Sequence, residues 1–307
     1  MTTENRTLIQ KADLALSDLQ SDGGYLENEQ TDRFIRLAIK ESTLLGMITV
    51  TTMKNPVAEK SKIRFSGRVL KPGSSGTALL LAQRSKPDLS KYTLTSQLFK
   101  AETRLDDETM EDQIERGEFA NTVMDSLAAA VARDVEWVAI QGDTASSDAT
   151  LAVLDGFVKQ ATTNQVNASS ANLTRGILSD MLKALPTEFA KIPQLKYYTC
   201  ADAQTDYIDS LGDRATQLGD SSVMRDGIPY YRGMPVVAIP EWTDTGSATG
   251  VLLTDPKNMV VGFQRKIRFE RDRDVPAGVN IIVATLRFDA KFQEETAVSE
   301  ATAVATT

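Results

Sequence analysis

Three stretches of this chain collect residue types that elsewhere do chemistry, and each lacks the spacing that the chemistry needs. Lys71-Pro72-Gly73-Ser74-Ser75-Gly76-Thr77 holds the lysine, glycines and hydroxyls of a phosphate-cradling loop. Such a loop puts a Lys-Ser/Thr pair directly after its second glycine, so that backbone amides and the ammonium converge on phosphate oxygens. No such pair follows Gly76, and the stretch reads as a loop tip. Gln141-Gly142-Asp143 and the residues up to Asp148 offer oxygen ligands, but without the alternate carboxylates ending in Glu that enclose calcium. Asp106-Asp107-Glu108, between Leu105 and Thr109, has the look of paired catalytic carboxylates. Nothing near them in sequence pushes their pKa values apart, whereas acidic side chains at a helix start cap free amides and face the positive end of its dipole. A Ser-Lys nucleophile is singled out by no spacing. The sequence therefore assigns no catalytic, cofactor-binding or metal residue.

Composition removes more mechanisms. The 307 residues include no histidine, so no Ser-His or Cys-His pair and no imidazole metal ligand can be assembled, and the commonest acid-base side chain near neutral pH is missing. A single cysteine, Cys200, excludes an internal disulfide framework and a cysteine zinc cluster. It follows the strand-like run Lys196-Tyr197-Tyr198-Thr199 and reads as a buried, inert thiol. The 41% hydrophobic fraction suits a globular chain of about two domains. No apolar run approaches the ~20 residues of a membrane span, and no secretory leader is evident. The formal charge of −8 argues against general attraction to nucleic acid, which depends on cationic surface.

The elements that remain are long and project outward. Residues 1 to 58 read as largely helical, with one stripe at Ile9, Ala12, Leu16 and Leu19 and a second at Phe34, Leu37, Ala38, Glu41 and Leu45, ended by Asn55-Pro56. Ile63, Phe65 and Val69, then Tyr92, Leu94 and Leu98, alternate with the period of half-buried strands. They predict a two-stranded arm, marginal by itself in water and suited to docking on another subunit. A helix is expected from residue 107 to residue 141, roughly 50 Å at 1.5 Å per residue, stopped at Gly142. Its apolar face would hold Phe119, Ala120, Val123, Met124, Leu127, Val131, Val135 and Val138, and its polar face Glu118, Asn121, Thr122, Asp125, Arg133 and Glu136. Asp134 falls in the apolar sector and would need a partner.

Beyond this helix a mixed α/β region is expected. It comprises a polar loop over 143–150, a strand near 156–159, a surface stretch over 160–172, and a helix over 173–190 with Ile177, Met181, Leu182 and Leu185 inward. A strand at Tyr197-Tyr198, a helix over 203–211 and a loop over 212–222 follow. Strands over 251–254, 259–263, 266–273 and 280–292 come next, with a turn at Pro276-Ala277-Gly278. Arg268, Glu270, Arg271, Asp272, Arg273 and Asp274 alternate in sign, as cross-strand ion pairs would. The tail after Val298 is small and polar, and reads as disordered.

The order of N-terminal arm, β-arm, long helix, mixed unit and strand-rich finish resembles the major capsid proteins of tailed bacteriophages with the HK97-type fold. The nearest local matches are Ala132-Arg133-Asp134-Val135-Glu136-Trp137-Val138-Ala139-Ile140-Gln141-Gly142 and Gly227-Ile228-Pro229-Tyr230-Tyr231-Arg232-Gly233-Met234-Pro235-Val236-Val237. The resemblance covers nearly the whole chain. It implies an α+β, HK97-like fold: N-terminal arm 1–58, extended β-arm or E-loop 59–105, spine helix and part of the peripheral domain 106–149, mainly axial domain 150–250, strand-rich return to the peripheral domain 251–298, and flexible tail 299–307. It further implies a homo-oligomer of pentameric and hexameric capsomers that closes an icosahedral shell around double-stranded DNA without sequence specificity. Such a subunit is assembled in the host bacterial cytoplasm and ends in the virion, without membrane contact.

Some relatives carry an N-terminal scaffolding domain of about a hundred residues, for which the arm leaves no room. A separate scaffold, or none, is therefore implied, with a portal and optional decoration proteins as further partners. Some relatives also form Lys-Asn links between subunits, for which Lys71, Lys86 or Lys91 and Asn258 are candidates without a motif that fixes them. Two rival readings stay open. An encapsulin-type nanocompartment shares the fold, and an α+β enzyme without histidine would form a small defined oligomer instead of a shell.

Overall fold

The computed structural model describes residues 42–65, 68–73, 75–106, 119–212, 224–225, 227–243, 249–264 and 268–306. In chain order its strands are β1 (Thr49–Met53), β2 (Val57–Arg64), β3 (Asp88–Thr95), β4 (Gln97–Asp106), β5 (Gln165–Asn167), β6 (Lys196–Thr199), β7 (Met224–Arg225), β8 (Ile228–Tyr231), β9 (Met234–Ala238), β10 (Thr249–Thr254), β11 (Met259–Gln264), β12 (Arg268–Asp274), β13 (Val279–Phe292) and β14 (Ser299–Val304). The helices are α1 (Phe119–Gln141), α2 (Phe157–Gln160), α3 (Arg175–Ala184) and α4 (Ala201–Gly212).

β13 organises the first sheet. One edge pairs antiparallel with β4, from Val279 opposite Asp106 to Phe288 opposite Gln97. The other edge pairs first with β12 and then with β11, so these two form one broken hairpin partner, and β1 lies parallel outside β11. Successive side chains of a strand point to opposite faces, and Ile282, Ala284, Leu286, Phe288, Ala290 and Phe292 line the buried one. Phe99 stacks on Phe288 with ring centroids 4.7 Å apart, and Phe157 of α2 packs on Phe292 at 5.1 Å.

The second sheet runs β5-β14-β10-β6-β9-β8-β7, with the β5/β14 and β6/β9 pairs parallel. Its centre is apolar: Tyr197, Tyr198, Val236, Val251, Leu252 and Leu253 are all buried. The Tyr197 hydroxyl donates to the Leu178 carbonyl at 2.8 Å and ties α3 to the sheet. Ala203, Tyr207 and Leu211 recur at helical spacing and give α4 its buried stripe. Cys200 is buried just before α4, and its sulfur accepts the Ala203 amide. Arg232 and Gly233 both have positive φ in the tight turn between β8 and β9.

The buried arc of α1 differs from expectation. Val131, Val135 and Val138 are buried as expected, but so are Ala128, Ala132, Ala139, Ile140 and Glu136, while Asp134 is exposed. At 100° per residue the arc is turned by roughly 90° toward the alanines. A wheel weighted by large apolar side chains misses this, because alanine packs closely without advertising itself as core. The helix reaches Gln141 as expected, and Gly142 then meets Gly156 backbone to backbone, Gly156 N–H donating to Gly142 O at 2.8 Å. A Cβ on Gly142 would come within 2.5 Å of the Leu154 oxygen, so this crossing requires glycine.

Other expectations are corrected. Residues 42–48 form turns and 49–53 are strand β1, so the expected helix does not extend here; the expectation for residues 1–41 lies outside the described residues. Residues 107–118 and 213–222 also lie outside them. Phe157–Gln160 is a helical turn instead of a strand, because Phe157 must point inward while Gly156 crosses Gly142. Within 160–172, β5 joins the second sheet and Ala161 and Ala168 are buried. The expected helix over 173–190 stops at Ala184. The cross-strand partners of β12 on β13 are uncharged residues such as Thr285, Val283 and Ile281, and Arg268 pairs along its own strand with Glu270 at 3.3 Å. The tail is the largest correction: Ser299–Val304 is β14, an interior strand with Ser299, Glu300, Ala301 and Val304 buried.

Candidate assembly surfaces

β2 and β3 form a two-stranded ribbon outside both sheets, in the register Val57 opposite Thr95 to Arg64 opposite Asp88. At its base, Leu94 and Met53 are buried together with Val260. Gly262 makes room for them, since a Cβ there would lie 2.9 Å from Leu94 Cδ1. The Thr95 amide donates to Asp289 Oδ2 at 2.7 Å, and Ser96 Oγ lies 3.0 Å from Gln264 Oε1. Burial pushes the Asp289 carboxyl above its ordinary range, against the bonds from Thr95 and Ala290.

The ribbon alternates as expected, with Tyr92 and Leu94 on the face toward the body and Ile63 on the face away from it. The same inward face carries the long basic side chains: Lys60 Nζ donates to Thr51 Oγ1 at 2.8 Å, Lys62 pairs with Glu294 at 2.6 Å, and the Arg64 guanidinium lies 5.3 Å above the Phe189 ring. Ile63 and Leu89 turn away. Each is 70% exposed, Phe65 is exposed beside them, and in the loop beyond Leu70, Leu80 and Leu81 are exposed as well. Leaving such side chains in water forgoes about 1.5–3 kcal/mol each, and several large apolar side chains exposed on one arm are the kind of surface that another chain covers. The described residues do not cover it.

Two of the segments that looked chemical are structural; of the third, Asp106 ends β4 opposite Val279 instead of capping a helix, and residues 107–108 lie outside the described residues. Residues of the 71–77 stretch that are described lie exposed in the arm loop. Asp143 accepts the Ala145 amide and pairs with Lys159 at 3.1 Å, Asp148 accepts the Thr150 amide, and Asp155 accepts from Thr144. These carboxylates close loops. Among the described residues no group of three or more His, Cys, Asp or Glu could hold a metal ion, and no helix is long and apolar enough to cross a membrane. Asn258 is buried: its amide donates to Thr254 Oγ1 and the Glu294 carbonyl and accepts the Glu294 amide. A lysine from another subunit meets no free amide there, and Lys91 is paired with Glu59 at 2.8 Å.

Two buried carboxylates were not singled out in the sequence. Glu136 accepts the Ser42 hydroxyl and, at 3.2 Å, the Leu44 amide, fastening the 42–48 turn to α1; burial raises its pKa despite these bonds. Glu300 accepts from Gln165 Nε2 at 2.9 Å beside a cleft of about 440 Å³ lined also by Trp242, Thr249 and Lys159. Burial pushes Glu300 up to about 7. Only a long-range partner distinguishes either residue from an ordinary surface glutamate.

No family model matches the chain. Over 305 residues it is 35% identical to YqbE of Bacillus subtilis (strain 168), which bears the name of a prophage capsid protein, and the match covers 96% of this chain and 97% of that one. The chain belongs to the phage capsid protein family. A chain of the satellite phage P4 procapsid, a structure that includes the size determination (Sid) protein, matches this capsid protein with a TM-score of 0.69 at 13% identity, covering 99% of this chain and 98% of that one. A chain of the holo-SrpI encapsulin complex from Synechococcus elongatus PCC 7942 matches with a TM-score of 0.59 at 11% identity, covering 85% and 87%. At these identities the likeness shows the fold, which is the α+β, HK97-like capsid fold. This capsid protein is a structural subunit of the virion shell and not an enzyme.

Proposed function

We propose that this capsid protein is the major head subunit, closing through pentameric and hexameric capsomers into an icosahedral shell around double-stranded DNA. The outward apolar side of the β2/β3 arm carries the reading, because Ile63, Phe65 and Leu89 are left exposed by the described residues. A second copy supplies the cover. Contacts between unlike patches of identical subunits generate rings when the rotation closes, and an arm reaching from each subunit ties neighbouring positions together. In the terms of the fold, the β2/β3 ribbon and its loop serve as the E-loop, while 97–105, expected with it, run as β4 along β13; α1 serves as the spine helix. The sheet around β13 serves as the peripheral domain, and most of the sheet around β6 and β10 as the axial domain.

DNA containment is topological in this reading. The subunit's charge of −8 leaves contact to local lysines and arginines on the inner wall, weak and steeply salt-dependent. A separate scaffold, a portal and decoration proteins complete the head. Expression of the capsid protein with its phage's scaffold and portal genes tests this: nuclease-protected double-stranded DNA inside purified particles is the expected result. The second reading, an encapsulin-type compartment, is favoured by the match to the SrpI shell and makes the opposite prediction, a folded protein cargo and no protected DNA.

A further inference from the structure

At the end of β13 two consecutive carboxylates point to different parts of the molecule. Glu294 reaches the arm: Lys62 Nζ lies 2.6 Å and Arg64 Nη1 3.5 Å from its Oε2, while Thr296 Oγ1 donates to its Oε1 at 2.8 Å. Lys62 also donates to the Gln293 carbonyl. Glu295 reaches the strand entering the second sheet. Its Oε1 accepts the Thr162 amide at 2.9 Å, the Thr162 hydroxyl at 2.6 Å and the Thr163 amide at 2.8 Å. Asn164 Nδ2 continues the seam by donating to the Thr296 and Val298 carbonyls. Asn258 holds this turn from below, bonded to both the amide and the carbonyl of Glu294.

The turn therefore joins three bodies through short, charge-assisted bonds, which are about twice as strong as neutral ones. β13 ends in it, β14 of the second sheet begins after it, and the arm is clamped to it. We infer that Glu294 and Glu295 are positioning residues that together set the angle of the arm relative to the second sheet. Glu294 holds the face of the ribbon that carries Lys62 and Arg64 inward and so keeps Ile63 and Leu89 outward; Glu295 holds 162–163, and through it β5, against the same turn. A load on the arm reaches β14 through residues 295–298. The clamp is a property of the single subunit; its use in closing shells rests on the capsid reading.

Spin labels on Leu80→Cys and Asp202→Cys test the clamp by double electron–electron resonance on unassembled subunits, native Cys200 being buried and unlabelled. The parent gives one narrow distance distribution. Glu294→Gln is expected to broaden it at least twofold with little change in the thermal midpoint, and the swap Lys62→Glu with Glu294→Lys to narrow it again. Glu295→Gln should leave the arm's local pairing intact but raise amide exchange over 160–168 at least tenfold. An unchanged distribution in Glu294→Gln, or a swap that leaves it broad, overturns the inference. Electron micrographs of the same variants separate the two claims: normal shells from the parent and irregular ones from Glu294→Gln are expected, whereas no shells from the parent would contradict the capsid reading and leave the distance result standing.

Discussion

Ile63 and Leu89 stand directly opposite one another across the arm and are each 70% exposed, although both are large apolar residues on a regular ribbon. Replacing either with Asp is expected to leave the subunit's stability within about half a kcal/mol, as for other surface sites. Assembly should fail, because a carboxylate must then be buried against the neighbour. Denaturant titration and sedimentation of the same sample check both halves.

Deleting residues 67–89 should leave both sheets folded, since the described buried side chains, the anchor at Leu94 and Met53 included, lie outside that segment. Circular dichroism is expected to be close to that of the parent, with electron microscopy showing no closed particles. Intact shells from the deletion would remove the arm from the mechanism.

Glu136 accepts both Ser42 and Leu44, whereas Asp134, two residues earlier, is exposed. Glu136→Ala leaves a buried hydroxyl and amide without their acceptor and is expected to cost about 1–3 kcal/mol. Asp134→Ala should cost no more than about half a kcal/mol. Urea midpoints measure the difference, and the reverse order would restore the wheel drawn from large apolar residues.

That reversal marks where sequence reading stops. The arm, α1 and the strands at Tyr197, Leu252 and Phe288 were legible because large side chains alternated or recurred at helical spacing. Glu136 was not, since its burial depends on Ser42, which is 94 residues away. Ser299–Val304 was not either: its small and polar residues become interior only because β5 and β10 pair on its two sides. The basic side chains of the ribbon turn inward for the same kind of reason, because Glu294 waits for Lys62 on an element more than two hundred residues along. Local periodicity records which faces differ, and long-range partners decide which face is covered.

Glu300 gives the pH prediction. Its pKa is raised to about 7 in the folded chain from the ordinary value near 4.3 of the unfolded one. The protonated form is thus favoured by folding. The corresponding stability is fully present below about pH 4.3 and is lost as pH rises through about 7, an effect on the order of 3 kcal/mol. Glu136 and Asp289, also raised, act in the same direction. Glu300→Gln keeps an acceptor for Gln165 and should flatten the slope, so the difference in unfolding free energy between variant and parent should grow from pH 5 to pH 8. A constant difference would contradict the assignment.

Electron microscopy of the purified capsid protein at high concentration, alone and with its scaffold, tests the central claim most directly. Closed icosahedral shells, or capsomer-sized rings that close when scaffold is added, are the expected result. A strictly monomeric species under both conditions would contradict an account in which the exposed face of Ile63, Phe65 and Leu89 is made to be covered by another copy.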